Sequence, residues 1–244
     1  GGGLQALFGW RASFAALAVF GLGLMVTVLR KMPESLGERP ATRLSFGAML
    51  VGYREVLRIR EFNLYLCIGT SAYTGIIAWL SAAPFVLQNV YGQSPLIFSI
   101  SFSATSVGFL LGTMMATRMV VTHGIARTLG MGLFVMLAGT TAMCISVAIG
   151  SAAPWPFLAG VTIYLIGFGL LYPQSTAGGL SAVPGRAGTA SSLLGFVPQF
   201  SAALLGAGVV AATGETAWPV SIAVLAMTVM VLPLWLLLVR SQRV

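Results

Sequence analysis

The feature that most constrains this chain is a set of seven long apolar stretches whose central parts hold no acidic residue and no lysine. They cover about 10–29, 62–87, 96–117, 127–149, 155–178, 187–212 and 217–239. A helix needs about 20 mostly apolar residues to cross the hydrocarbon core of a bilayer, and each stretch is long enough. Composition closes the other routes. Of the 244 residues 57% are hydrophobic and 7% are charged, and mean hydropathy is +0.95, whereas soluble domains carry about 25% charged residues. So few charges cannot cover a water-soluble globule, and so apolar a chain is not disordered. Cys67 and Cys144 both lie inside apolar stretches, which excludes a disulfide scaffold. Barrel-type alternation of apolar and polar residues is absent. The first stretch is preceded by glycines and followed by further spans, unlike a signal peptide. The chain therefore reads as an all-α membrane protein with seven transmembrane helices, because a helix satisfies its own backbone hydrogen bonds in lipid.

The gaps between the stretches set the orientation. The first gap holds Arg30, Lys31, Arg39, Arg43, Arg54, Arg58 and Arg60. The second, Gln88 to Pro95, is uncharged, the third has Arg118 and Arg127 at its edges, and the fourth, around Gly150 to Pro154, is again uncharged. Arg186 lies in the fifth gap, Glu215 alone in the sixth, and Arg240 and Arg243 in the tail. Of the 13 basic residues only Arg11 falls on the other side. The pI near 10.3 would suggest nucleic acid in a soluble chain; here the basic residues mark the cytoplasmic face of a membrane, and no nucleic-acid partner is expected. The C-terminus is then cytoplasmic and the observed N-terminus outside. The chain starts Gly1-Gly2-Gly3 without a methionine, and the expectation is a piece of a longer protein.

Three segments follow: 1–29, a single helix; 30–61, a cytoplasmic linker; and 62–244, a six-helix bundle. Within the linker, Leu44 to Glu61 carries Phe46, Met49, Leu50, Tyr53 and Leu57 at helical spacing, with Arg54, Glu55 and Arg58 turned away. That pattern is an amphipathic helix on the cytoplasmic leaflet with its arginines at anionic headgroups, or a solvated linker helix. One helix before a basic linker and six after it reads as the end of a missing first half joined to a complete second half, since transporters are often built from such repeats.

Ser, Thr, Asn and Gln concentrate in the second, third and sixth spans, which should face protein or water. The third carries Ala104, Gly108, Gly112 and Ala116 at four-residue spacing, a stripe for close helix packing or for a sliding contact between two halves. Pro84 and Pro173 interrupt the second and fifth spans, the latter within Gly167-Phe168-Gly169-Leu170-Leu171-Tyr172-Pro173-Gln174. Such breaks kink helices and often adjoin cavities, although proline and glycine are also common in ordinary membrane helices. Trp79, Trp155, Trp218 and Trp235 lie near span ends and are expected as interfacial anchors. His123 is expected as a solvated loop residue.

Four stretches resemble the major facilitator superfamily, and within it the bicyclomycin and chloramphenicol resistance (Bcr/CflA) group of drug exporters. Gly9-Trp10-Arg11-Ala12-Ser13-Phe14 is similar to the start of that group's sixth helix, and Met32-Pro33-Glu34-Ser35-Leu36 to its Pro-Glu-Thr-Leu motif. Leu80-Ser81-Ala82-Ala83-Pro84-Phe85-Val86 is similar to the end of its seventh helix. Ala187-Gly188-Thr189-Ala190-Ser191-Ser192-Leu193-Leu194-Gly195, with Ala217-Trp218-Pro219, is similar to its eleventh and twelfth and is the most specific of the four. The resemblance implies helices 6–12 of a twelve-helix fold, the missing N-terminal half of the same chain as partner, and a multi-pass protein of the bacterial inner (plasma) membrane. Gly2 and Gly3 are placed by it at the tail of the glycine-rich antiporter motif. Arg118 and Arg127, with Gly112 and Gly124, resemble a second copy of the superfamily's cytoplasmic loop motif, with Thr117 where its acidic residue stands.

The resemblance implies a secondary active transporter that exports small-molecule drugs by alternating access coupled to protons; the alternative is an exporter of a metabolite such as a sugar or amino acid, since fold does not fix substrate. Proton coupling needs a membrane carboxylate, yet Glu34, Glu38, Glu55, Glu61 and Glu215 all lie in loops or at helix edges. The coupling group is therefore expected in the missing half. The family's cavity-lining helices correspond to the second, third, fifth and sixth spans. On them the substrate-cavity candidates are Thr70, Tyr73, Thr74, Ser81, Phe168, Tyr172, Gln174, Gln199 and Phe200, because drug sites are apolar and aromatic with a few orienting polar groups. An interhelical hydrogen bond without ligand contact is the competing role for each glutamine. Gly112, Pro84, Pro173, Arg118 and Arg127 are the candidates for gating. Paired carboxylates, a metal cluster, or Ser with His at membrane depth are absent from the sequence, so an enzyme is not expected. Nor is a metal or cofactor; a retinal pigment would need a lysine in a span, and Lys31 lies in a loop.

Overall fold

The computed structural model describes residues 8–32, 46–212 and 216–242. The expectations placed on Gly2, Gly3, 33–36, Glu38, Arg39, Arg43, Leu44, Glu215 and Arg243, and on the Phe46 side chain, lie outside the described residues. The helices are α1 (Trp10–Lys31), α2 (Phe46–Leu57), α3 (Arg60–Phe85), α4 (Pro95–His123), α5 (Ile125–Ala148), α6 (Trp155–Ser181), α7 (Ala187–Ala212) and α8 (Trp218–Ser241). All but α2 are long and apolar enough to cross a membrane, which gives the seven spans expected from the sequence.

The chain divides into two units, residues 1–45 and 46–244. The first contains α1. There Arg11, the lone basic residue on its side, lies over the Trp10 ring at 4.6 Å, and Trp10 meets Phe14 edge-on at 5.9 Å. Its guanidinium thus has a cation–π partner on its own helix.

The second unit is built around α3 and α6. Helix α3 packs against α6, α7 and α8; helix α6 packs against α3, α4 and α5; and α5 packs against α8. Exchanging α3-α4-α5 for α6-α7-α8 maps this pattern onto itself. Short connections make consecutive spans alternate in direction, so the two triplets are inverted copies. The main core lies between α3, α5, α6 and α8 around Ile68, Leu129, Leu133, Met136, Phe157 and Val224, all close to zero exposure. Trp79 belongs to it: it is buried and meets Phe157 at 5.6 Å, so it is not an interfacial anchor. Trp235 donates to the Ala126 carbonyl at 2.9 Å, while Trp155 and Trp218 are exposed near span ends.

Between helices in lipid no hydrophobic effect drives association, so close backbone contact matters most. Gly108 and Gly112 of α4 face α6. A Cβ on Gly108 would lie 2.7 Å from the Thr162 carbonyl oxygen, and one on Gly112 would collide with the Ile166 carbonyl. Ala104 is exposed; the buried line on α4 runs through Ser101, Thr105, Gly108, Gly112 and Ala116. A second seam joins α5 to α6, with Gly132 against Gly167 and Gly139 against Gly160.

Helix α2 belongs to the second unit and docks on α7. Val56 is fully buried in a small core with Phe62, Leu66, Val183, Ala190 and Leu194. Glu55, expected to turn away with the arginines, pairs with Arg186. Met49, Leu50 and Leu57, the apolar side chains expected against the leaflet, are about half exposed.

Candidate functional site

Each of the four helices expected to line a cavity contributes to one row of side chains. Phe109 of α4 meets Phe168 of α6 at 5.7 Å, Phe168 stacks on Tyr172 one turn along at 5.1 Å and 17°, and Tyr172 meets Tyr73 of α3 at 5.5 Å. The Tyr73 hydroxyl then donates to Gln199 Oε1 of α7 at 2.9 Å. Phe168 is buried, Tyr73 and Tyr172 are half-buried and Gln199 is exposed. The row is therefore buried at its middle and open at both ends, at Phe109, which is 38% exposed, and at Gln199. At its apolar end Phe109 and Phe168, with Trp79, Leu80, Phe102 and Ser106, line a cavity of 210 Å³.

The local folding reasons are readable helix by helix. Helix α3 is mostly buried, with an open line at Asn63, Cys67, Thr70, Tyr73, Ile77, Ser81 and Pro84. That spacing of three and four residues is one helical face. Pro84 on this line deprives the Leu80 carbonyl of its ordinary donor, and the helix continues into a π turn over Val86–Val90, closed by Tyr91 N–H to the Val86 carbonyl at 3.1 Å. Prolines also lie inside α6 at Pro173, α7 at Pro198 and α8 at Pro233. Two of them precede the candidate glutamines, as Pro173-Gln174 and Pro198-Gln199.

Of the candidates, Tyr73, Phe168, Tyr172 and Gln199 come together. Thr70 and Thr74 flank Tyr73 on α3; both hydroxyls are buried without a hydrogen-bond partner, whereas Thr105, Thr162, Ser175 and Thr176 bond to carbonyls of their own helices. Ser81 is exposed two turns beyond Thr74. Gln174 is buried two residues past Tyr172 and so on another side of α6. Phe200 is 55% exposed and stacks on Phe196 at 5.6 Å, outside the row. Gly112 lies in the α4–α6 contact, Pro84 is exposed and Pro173 half-buried, and Arg118 and Arg127 are exposed on either side of Gly124. The Thr117 hydroxyl bonds to the Met114 carbonyl.

Sequence reasoning missed Phe109, Pro198 and Tyr164. Tyr164 is buried in α6 and donates to the Ala72 carbonyl at 3.3 Å, beneath the Tyr73 pair. A Cβ on Gly75 would lie 2.8 Å from its hydroxyl oxygen. The Val197-Pro198-Gln199 signal is plain in the sequence; Phe109 and Tyr164 look like ordinary apolar filling until their partners are known.

Chemically the row offers aromatic faces, an amide and phenolic hydroxyls. Among the described residues no three His, Cys, Asp or Glu side chains converge as metal ligands. Stacking and hydrogen bonding are what groups of this kind can offer a small molecule.

A sequence model described as Major Facilitator Superfamily matches residues 1–207. The chain is 27% identical over 206 residues to multidrug resistance protein D of Escherichia coli, covering 84% of this chain and 50% of that protein. It is 23% identical over 219 residues to a bicyclomycin resistance protein homolog of Haemophilus influenzae, covering 90% and 55%. With the chloramphenicol resistance protein of Pseudomonas aeruginosa it is 25% identical over 236 residues, covering 93% and 53%. The chain spans about half the length of the curated relatives it matches.

Proposed function

The chain belongs to the major facilitator superfamily of transporters, and from that premise we propose that it supplies the substrate-facing C-terminal half of a secondary active exporter of small-molecule drugs. The observation that carries the reading is the row from Phe109 through Phe168, Tyr172 and Tyr73 to Gln199, drawn from four helices and open at its polar end. Flat aromatic substrates stack on the rings, and the Gln199 amide and Tyr73 hydroxyl orient their polar groups. The resistance proteins to which the chain is similar support drugs as the substrate class.

Export is driven by protons through alternating access. The spans of this chain hold no Asp or Glu at their centres, so the proton-binding carboxylate belongs to the N-terminal half, packed against the open faces of α3 and α7. The protein lies in the bacterial inner membrane, with the arginine-bearing ends of its helices in the cytoplasm. Gly112, Pro84, Pro173, Arg118 and Arg127 serve the change between inward and outward states.

The test is accumulation of a fluorescent drug by cells expressing the protein, with and without an uncoupler that collapses the proton gradient. Lower accumulation that the uncoupler abolishes is expected. Accumulation equal to that of control cells under both conditions overturns the proposal.

A further inference from the structure

One side of α2 is docked, and the site above uses none of the rest. On the docked side Val56 is buried against α7, Glu55 pairs with Arg186, and the Ser192 hydroxyl donates to the Tyr53 phenol oxygen at 3.2 Å. The opposite edge is bare. Leu50 and Leu57, seven residues and two turns apart on one line, are 54% and 43% exposed. Arg54 and Arg58 stand beside them on the open arc, and Arg60 begins α3; all three are exposed. Among the described residues Glu55–Arg186 is the one ion pair. Among the described residues these three guanidinium groups therefore have no carboxylate partner, and Glu55, on the same helix, is neutralised from the docked side. Glu61, next along the chain, accepts from Gln242 at 3.1 Å.

We propose that the open edge of α2 is a binding site for anionic phospholipid headgroups, and that an occupied site holds α2 in its dock on the start of α7. The leucine line lies at the boundary of headgroups and acyl chains, as the apolar side of an interfacial helix does. The arginines beside it reach phosphodiester oxygens, which they bind through paired N–H donors. Ser192 is seven residues before Gln199 and on the same face of α7. A lipid that fixes α2 thus fixes the end of the helix that carries Gln199. The inference needs the chain to lie in a membrane; it does not depend on drug export.

The test is amide hydrogen exchange on the chain in nanodiscs of phosphatidylcholine alone or mixed with phosphatidylglycerol. Residues 46–57 and 186–192 exchange several-fold more slowly when phosphatidylglycerol is present, and the α5–α6 seam is unchanged. Arg54→Gln with Arg58→Gln abolishes the lipid effect and leaves exchange in phosphatidylcholine as in the parent. Glu55→Gln keeps the lipid effect over 46–57 and loses it over 186–192. Equal exchange in the two lipids overturns the proposal, as does a lipid effect that survives the double arginine variant. Equal protection by inorganic phosphate added to phosphatidylcholine nanodiscs would also overturn it, since the site would then read a free anion.

Discussion

Gln199 shows how a single polar side chain in a span is tolerated. An amide facing hydrocarbon is costly without a partner, and Tyr73 supplies one at 2.9 Å. Interhelical hydrogen bonds in membrane proteins average about 0.6 kcal/mol, so Gln199→Leu is expected to leave expression and folding nearly intact. Its cost falls on substrates. Export of some drugs drops several-fold in cells, through loss of the orienting amide, and equal export of every drug tested would remove Gln199 from the cavity. Tyr73→Phe takes away the same bond from the other side. A double-mutant cycle on thermal stability should return a coupling of about 0.6 kcal/mol; additive effects would mean the pair is not formed. At Gly75 the prediction is steric. Gly75→Ala sets a methyl 2.8 Å from the Tyr164 hydroxyl oxygen and lowers the melting temperature in detergent, and Tyr164→Phe in the same chain restores most of the loss. No recovery would place the strain elsewhere.

Helices α4, α5 and α6 show which part of an element is legible in sequence. Their existence follows from length and hydropathy, which are local, and from arginines that appear on alternate sides, but α4 runs on to His123, past the end of its apolar stretch, so His123 ends a helix and is not a loop residue. Their partners are not local. The four-residue stripe on α4 is visible, yet only the structure shows that Gly108 and Gly112 meet Thr162 and Ile166 of α6 and that Ala104 is exposed. The α5–α6 seam is hidden for another reason: Gly132 and Gly139, like Gly160 and Gly167, repeat at seven residues, which a search at spacing four passes over. The same limit applies to the site. Tyr73, Phe168, Tyr172 and Gln199 stand out as aromatic or polar groups in spans, but Phe109 becomes part of the row only through its ring contact with Phe168. The packing makes an unequal prediction for two glycines. Gly112→Leu drives a side chain into the Ile166 carbonyl, which no rotamer relieves, so folded yield and transport fall several-fold. Gly195→Ala meets nothing within 4 Å and should leave the melting temperature of this chain unchanged. Similar stability for Gly112→Leu and the parent would show that α4 does not approach α6 this closely.

For the molecule as a whole, charge and topology make one joint claim. The inverted exchange of α3-α4-α5 for α6-α7-α8 requires that consecutive spans alternate in direction, and the arginines assign those directions to sides of the membrane. Arg118 and Arg127 flank the α4–α5 connection, Arg186 sits between α6 and α7, and Arg240 ends α8, whereas the connections at Gln88 to Pro95 and Gly150 to Pro154 carry no charge. A misplaced helix would put an arginine-bearing connection on the wrong side and break both patterns together. The measurement is cysteine labelling in intact cells, after Cys67 and Cys144 are replaced by alanine. Ser151→Cys, in the uncharged connection before α6, should react at once with a membrane-impermeant maleimide. Ser241→Cys and Thr122→Cys should react only after the membrane is permeabilised, because both stand at arginine-bearing ends. The reverse pattern would invert the protein, placing the α2 arginines and the Glu55–Arg186 pair outside. Labelling of Ser151→Cys and Ser241→Cys from the same side would contradict the six-helix alternation itself, since three crossings, α6, α7 and α8, lie between the two positions and must put them on opposite sides.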